Sequence, residues 1–231
     1  MTVDPSETDA QKRAAAEAAA AEVASGMLVG LGTGSTAAFL IDALGRRVRA
    51  GLEVRAVATS RQTAERAAAA GIVIVPLDDF AAIDLAIDGI DEIDPAFRAI
   101  KGAGGAMLRE KVVAQAARRM IAIADGSKAV ARLGGKPVPI EILPPARAFV
   151  AAHVEALGGR PTLRIGDDGL PWRTEQDNLI LDCAFGPRDD WPALAAALDV
   201  IPGALGHGLF MTEVDTLYLG TASGVIRRQR R

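Results

Sequence analysis

One cysteine, two histidines and no strong excess of either charge leave this 231-residue sequence without the materials for several chemistries. Cys183 alone can form no internal disulfide, and a small apolar residue buried in a strand is the ordinary role of such a cysteine. A reducing, cytoplasmic setting fits. His153 and His207 are too few for a cluster of histidine, cysteine and carboxylate at metal-ligand spacing, so neither a metal nor another cofactor is expected. His153 lies in AFVAAHVEAL, a helical pattern in which a surface or packing role is expected. His207 sits in the loop-like LGHGLF, where packing and catalysis both stay open. The net charge of -3 provides no basic face for nucleic acid without an equally acidic one elsewhere. No apolar run is long enough to span a bilayer, and the opening MTVDPSETDAQK has neither the basic start nor the apolar core of a signal peptide. The expected partner is a small molecule, with no nucleic acid and no membrane.

Hydrophobic residues make up 50% of the chain, enough for one good core and a smaller second one. Residues 9–24 are alanine-rich and helix-forming; Gly26 then releases the chain into the short apolar run MLVGLG. A helix is predicted from Ser35 to about Val48, a strand over EVRAVAT, and a helix over RQTAERAAAAG closed by Gly71. GIVIVPL, DLAIDGI and RMIAIAD are further apolar strands, the last preceded by a helix centred on MLREKVVAQAA. Continuous apolar strands alternating with helices predict an α/β fold: a doubly wound, mainly parallel, Rossmann-like sheet. Past Lys128, GGKPVPIEILPP changes the texture, and strand, helix, two strands and helix follow. The reading is an α/β domain over 1–131 plus 206–231, the EVDTLYLGTASGVIRR stretch returning to it as a strand, and a small α+β domain over 132–205.

Four strand-to-loop junctions carry reactive groups. GLGTGST, residues 30–36, stands between a strand and a helix, where free backbone N–H groups and the positive end of the helix dipole suit a phosphate. The hydroxyls of Thr33, Ser35 and Thr36 add donors. A dinucleotide fold loses ground, because G-x-G-x-x-G needs glycine or alanine where Ser35 stands and AVATSR supplies no acid for a ribose. DGIDEID, residues 88–94, would deliver Asp88 and Asp91 to the same carboxyl edge, and clustered carboxylates raise one another's proton affinity. The plain alternative is an acidic turn. In IKGAGGAMLREK, residues 100–111, Lys101 precedes a glycine-rich loop opening a helix, with Glu110 on its second or third turn. A lysine there offsets an anion and a glutamate takes a carbon-bound proton. By itself Glu110, between Arg109 and Lys111, reads as a solvated helix residue. IADGSKAV, residues 123–130, adds Lys128 after another strand end.

Together, GLGTGST, DGIDE, KGAGGAMLREK and IADGSK resemble the motifs of ribose-5-phosphate isomerase, type A, in the same order and at compatible spacing. LGGRP (157–161), IPGALGHGLF and GTASGV extend the resemblance over almost the whole chain. It implies a metal-free aldose-ketose isomerase, a homodimer or homotetramer, acting on a sugar phosphate through an enediol. Thr33, Gly34, Ser35 and Thr36 would hold substrate, with Gly89, Ile90, Gly102, Ala103 and Gly104 in the same binding set. Asp88 and Asp91 would act on hydroxyl and ring oxygens, Lys101 would steady the anion, and Glu110 would be the general base. Lys128, and Lys12 on the first helix, would contact phosphate or sugar oxygens. Ile90 and Ala103 depart from the family's usual DGADE and KGGGG or KGGGA; Ala103 adds a methyl group to a loop where unusual backbone angles are expected. Two rivals are a sugar-phosphate sensor, which lacks room here for a helix-turn-helix, and an amino-sugar-phosphate deaminase, which expects a histidine at its centre.

Overall fold

Short apolar runs bounded by glycine, proline and acidic turns become strands, and the alanine-rich or amphipathic segments between them become helices. The computed structural model describes residues 5–230. The chain opens with α1 (Pro5–Ala20), β1 (Leu28–Leu31), α2 (Ser35–Arg49), β2 (Arg55–Ala58), α3 (Arg61–Ala69), β3 (Val73–Ile74) and β4 (Leu85–Gly89). Next come β5 (Glu92–Ile93), β6 (Ala99–Ile100), α4 (Met107–Ala116) and β7 (Met120–Asp125). β8 (Val138–Ile142), α5 (Arg147–Ala156), β9 (Arg160–Leu163), β10 (Leu179–Ala184) and α6 (Trp191–Asp199) follow. The last strands are β11 (Ala204–His207), β12 (Leu209–Phe210), β13 (Thr216–Thr221) and β14 (Gly224–Gln229). Among the described residues no helix is long and apolar enough to cross a membrane.

The chain divides into two units. The larger comprises Met1–Ile90, Val112–Ala129 and Thr212–Arg231; the smaller comprises Asp91–Lys111 and Val130–Met211. Residues 91–111, assigned from the sequence to the α/β domain, thus group with the smaller unit. Their β5 and β6 pair with each other and with β12, a pairing invisible in two-residue strands.

The larger unit holds a seven-stranded sheet in the order β14-β13-β7-β4-β1-β2-β3. All neighbours run parallel except β13 and β14. The terminal stretch expected as one strand is therefore a hairpin: β13 is buried up to Gly220, whereas the whole of Gly224–Gln229 is exposed at the edge. Consecutive residues of β1 and β7 are all buried, which requires cover on both sheet faces. Ala15, Ala16, Ala19 and Ala20 make the buried stripe of α1, small enough to bring that helix close to its neighbours. From β1 the chain winds outward through β2 and β3, then returns to β4 on the other side. The β1/β4 junction is thus the switch point at which loops diverge and a crevice opens beyond the carboxyl ends of the strands.

In the smaller unit, β11-β8-β10-β9 form an antiparallel sheet and β12-β6-β5 a second one. Trp191, Leu194 and Leu198 of α6, and Val150 and Val154 of α5, pack with Ile140, Ile142, Leu181 and Cys183. Burial pushes the Cys183 thiol far above its ordinary pKa, leaving it a packing residue.

His207 is a packing residue too. It is 2% exposed, its Nδ1 accepts from the Leu209 N–H at 3.2 Å, and its Nε2 lies 3.0 Å from Asp199 at the end of α6. Burial, followed by the nearby Lys111 ammonium, pulls its pKa down to about 4 against the opposing pull of Asp199. The unfolded chain protonates this histidine near pH 6.5, so unfolding takes up a proton between that pH and about 4. Stability is full above about pH 6.5 and falls as pH drops through this window, by roughly 3 kcal/mol from this group. Urea unfolding of wild type and His207→Gln should show a shallower decline between pH 6.5 and 4.5 in the variant; identical slopes would remove His207 from this role.

Candidate active site

The expected site residues divide between the two units. Lys12, Thr33, Gly34, Ser35, Thr36, Asp88, Gly89, Ile90 and Lys128 belong to the larger; Asp91, Lys101, Gly102, Ala103, Gly104 and Glu110 belong to the smaller.

In the larger unit, β1 runs out into the Gly32–Gly34 loop and α2 begins at Ser35. The neighbouring strand β4 ends in Asp88 and Gly89. A Cβ placed on Gly32 would stand 1.8 Å from Asp88 Oδ1, so only glycine lets the carboxylate lie against this loop. Asp88 is 4% exposed and accepts from the Gly89 N–H at 2.7 Å. Ser35 is exposed and Thr36 half-buried, in the first turn of a 15-residue helix whose N–H groups lack intrahelical partners.

Thr33 does something different. Its Oγ1 lies 2.8 Å from Thr59 Oγ1, 2.8 Å from Ser60 Oγ and 3.2 Å from Thr63 Oγ1. Thr59 also donates to the Leu31 carbonyl, Thr63 to the Gly32 carbonyl, and Ser60 to Thr63. The protons of these four hydroxyls are consumed within the cluster, which ties the glycine loop to the N-terminus of α3. Ser60 caps that helix by accepting from the Thr63 N–H. The loop can therefore offer an anion its backbone N–H groups and the Ser35 and Thr36 hydroxyls, while the Thr33 hydroxyl holds the loop in place.

At the end of β7, Asp125 accepts from the N–H and hydroxyl of Ser127 and so shapes the short turn Gly126–Lys128. Gln11 on α1 accepts from the Gly126 N–H at 3.1 Å, docking the helix that carries Lys12 to the turn that carries Lys128. Lys12 lies 3.4 Å from Asp9. The Ile90 side chain is buried, so any contribution from it to binding comes from its backbone.

In the smaller unit, Lys101 Nζ and Glu110 Oε2 are 3.3 Å apart, with side chains 2% and 4% exposed. Glu110 stands in the first turn of α4, not the second or third, because the helix begins only at Met107, after the glycines. There the carboxylate meets the positive end of the helix dipole. It is buried, and a solvated helix residue is not what the fold makes of it. The Lys101 N–H donates to the Gly208 carbonyl, and its ammonium sits 5.4 Å from the centre of the Phe210 ring. Lys111 approaches the same ring at 4.7 Å and donates to the Leu209 carbonyl. Asp91 accepts from the Ala103 N–H at 3.0 Å. Gly102 and Gly105 take φ of 105° and 79°, whereas Ala103 has no positive φ. The strained positions of this loop are thus glycines, and the methyl group of Ala103 is accommodated.

Residues 55–224 match Ribose 5-phosphate isomerase A (phosphoriboisomerase A). The chain belongs to this family. It is 48% identical to the ribose-5-phosphate isomerase A of Sphingopyxis alaskensis over 221 residues, 96% of each chain. With that of Methanosarcina acetivorans it shares 48% over 231 residues, 98% of this chain and 97% of the other. Among solved structures, ribose 5-phosphate isomerase A from Methanocaldococcus jannaschii matches with a TM-score of 0.92 at 36% identity, covering 96% of this chain and 99% of that one. A D-ribose-5-phosphate isomerase in complex with phospho-erythronic acid matches with a TM-score of 0.94 at 35% identity and the same coverage.

Within this ribose 5-phosphate isomerase A fold, Thr59, Ser60 and Thr63 escaped the sequence reading, which examined AVATSR only for a missing acid. A hydroxyl directly after a strand, three residues ahead of another, is an N-cap signal that would have found them. Replacing Thr33 by Val should cost about 1–3 kcal/mol in urea unfolding, since it strips partners from buried hydroxyls. Ser35→Ala should stay within about 0.5 kcal/mol. Equal losses at the two positions would contradict the distinction.

Proposed function

We propose that the chain interconverts D-ribose 5-phosphate and D-ribulose 5-phosphate by moving a proton between C2 and C1 through an enediolate. The observation that carries this reading is the buried Lys101–Glu110 pair in a member of an isomerase family. Glu110 takes the C2 proton of the open aldose and returns it to C1, while Lys101 offsets the negative charge developing on the substrate oxygens. Asp88 and Asp91 act on hydroxyl and ring oxygens, one of them assisting the opening of the furanose. Gly34, Ser35 and Thr36 hold the phosphate with the loop that Thr33 fixes, and Lys128 and Lys12 add positive charge. Gly89, Ile90, Gly102, Ala103 and Gly104 contribute backbone groups.

The ligand of the 35% identical relative supports the enediolate route. Phospho-erythronic acid carries a carboxylate whose two oxygens and single charge match those of a cis-enediolate, the kind of resemblance that makes a tight ligand. A sensor that binds without converting is not favoured, since the relatives carry the name of an isomerase. The reading extends to a cytoplasmic homodimer or homotetramer of the pentose phosphate pathway that works without a metal.

Glu110→Gln should keep sugar-phosphate affinity near that of wild type and cut turnover at least about a hundredfold, the usual consequence of losing a general base. Ketose formation from ribose 5-phosphate, with and without chelator, reads this directly. Wild-type turnover in the variant would remove Glu110 from the role, and binding without conversion by the unaltered chain would favour the sensor.

A further inference from the structure

The loop between Lys101 and α4 is gripped from outside by a residue to which the mechanism above gives no part. Arg164, just past β9, donates through Nε to Asp182 at 2.8 Å and through Nη2 to the other oxygen of the same carboxylate. Its remaining nitrogen, Nη1, donates to two successive carbonyls, Gly102 at 3.2 Å and Ala103 at 3.1 Å. The Arg164 side chain is 15% exposed, and its guanidinium lies 5.8 Å from the centre of the Trp172 ring. Trp172 in turn packs on the same loop: a Cβ on Gly105 would fall 2.1 Å from its ring. The backbone of Arg164 is fixed as well, its N–H donating to Ile180 and its carbonyl accepting from Trp172, both at 2.9 Å.

Peptide geometry gives this grip a direction. In a trans peptide the C=O and N–H point opposite ways. The Gly102 carbonyl faces Arg164, and the N–H of that peptide, on Ala103, reaches Asp91 at 3.0 Å. The Ala103 carbonyl also faces Arg164, so the Gly104 N–H is turned away from it. Free glycine-rich backbone has no such preference. A fixed fork that binds a carboxylate with one edge and carbonyls with another can impose it, which a lysine cannot do.

We propose that Arg164, oriented by Asp182, is a positioning residue for the isomerisation: it presets the Ala103 N–H that holds Asp91, the Gly104 N–H and the loop that follows Lys101, without touching substrate. The proposal rests on the reading of Lys101 and Glu110 as the reacting pair. Backbone donors that face a developing oxyanion contribute to the transition state more than to ground-state binding, so their misorientation appears in kcat.

The test is steady-state kinetics of Arg164→Ala, Arg164→Lys and Asp182→Asn, with thermal unfolding of each. Arg164→Ala should lose about a hundredfold in kcat, the scale for a lost or misplaced oxyanion donor, with KM changed less than about threefold. Added guanidinium chloride at millimolar concentration should restore part of that kcat, whereas methylammonium should not. Arg164→Lys should stay near the alanine level, and Asp182→Asn should lose about tenfold in kcat at similar KM. Should Arg164→Ala fail to fold, the decision falls to Asp182→Asn. The proposal is overturned by wild-type kcat in a folded variant, or by a loss confined to KM or unmoved by guanidinium. If Glu110→Gln is inactive while these variants are fully active, only the positioning role falls; an active Glu110→Gln sinks the underlying reading instead.

Discussion

Two opposite charges, Lys101 Nζ and Glu110 Oε2, sit 3.3 Å apart with almost no access to water. Taking either ion out of solvent alone costs several kcal/mol, so each is tolerable there chiefly because of the other. Such a pair adds little to stability compared with apolar residues of the same volume, and buried charged groups of this kind concentrate at functional sites. The surroundings are arranged to hold the two groups in place. Strand β6 and the Gly208 carbonyl fix the backbone of Lys101, the Phe210 ring faces its ammonium, and the start of α4 fixes Glu110.

The larger unit shows the same logic with neutral groups. Its glycine loop is held by hydroxyls whose protons are used up among themselves and on two carbonyls. Asp88 is held against the loop by the absence of a side chain at Gly32. In both units a glycine-rich segment is held by side chains bonded to it or packed on it: Thr59, Ser60 and Thr63 in one, Arg164 and Trp172, with Asp182 behind the arginine, in the other. Preorganisation of this kind makes backbone N–H groups useful, since no reorganisation is then needed at the moment of reaction.

The sequence displays the apolar strands and glycine loops better than the side chains that hold those loops. β1, β4 and β7 are legible because parallel strands buried on both faces read as apolar runs, and the glycine loops stand out by composition. The two-residue strands β5, β6 and β12 have no periodicity to detect, and β6 finds β12 more than a hundred positions along the chain. That is why 91–111 read as part of the α/β domain. The hairpin of β13 and β14 was hidden because Gly224–Gln229 lies at an exposed edge and carries little apolar patterning. Burial of Glu110 between Arg109 and Lys111 follows from where α4 begins, and composition says nothing of that. Arg164, just past β9, and Asp182, eighteen residues on in β10, look like ordinary surface charges until the strands pair.

Whether the lysine and the glutamate work as one unit is most directly tested by a double-mutant cycle on kcat, using Lys101→Met, Glu110→Gln and the combined variant. Groups that act together lose their effect together, so the combined variant should be no more than about tenfold slower than the slower single variant. Losses that multiply in full would mean that the two side chains act independently, and the buried pair would then not be the centre of the reaction.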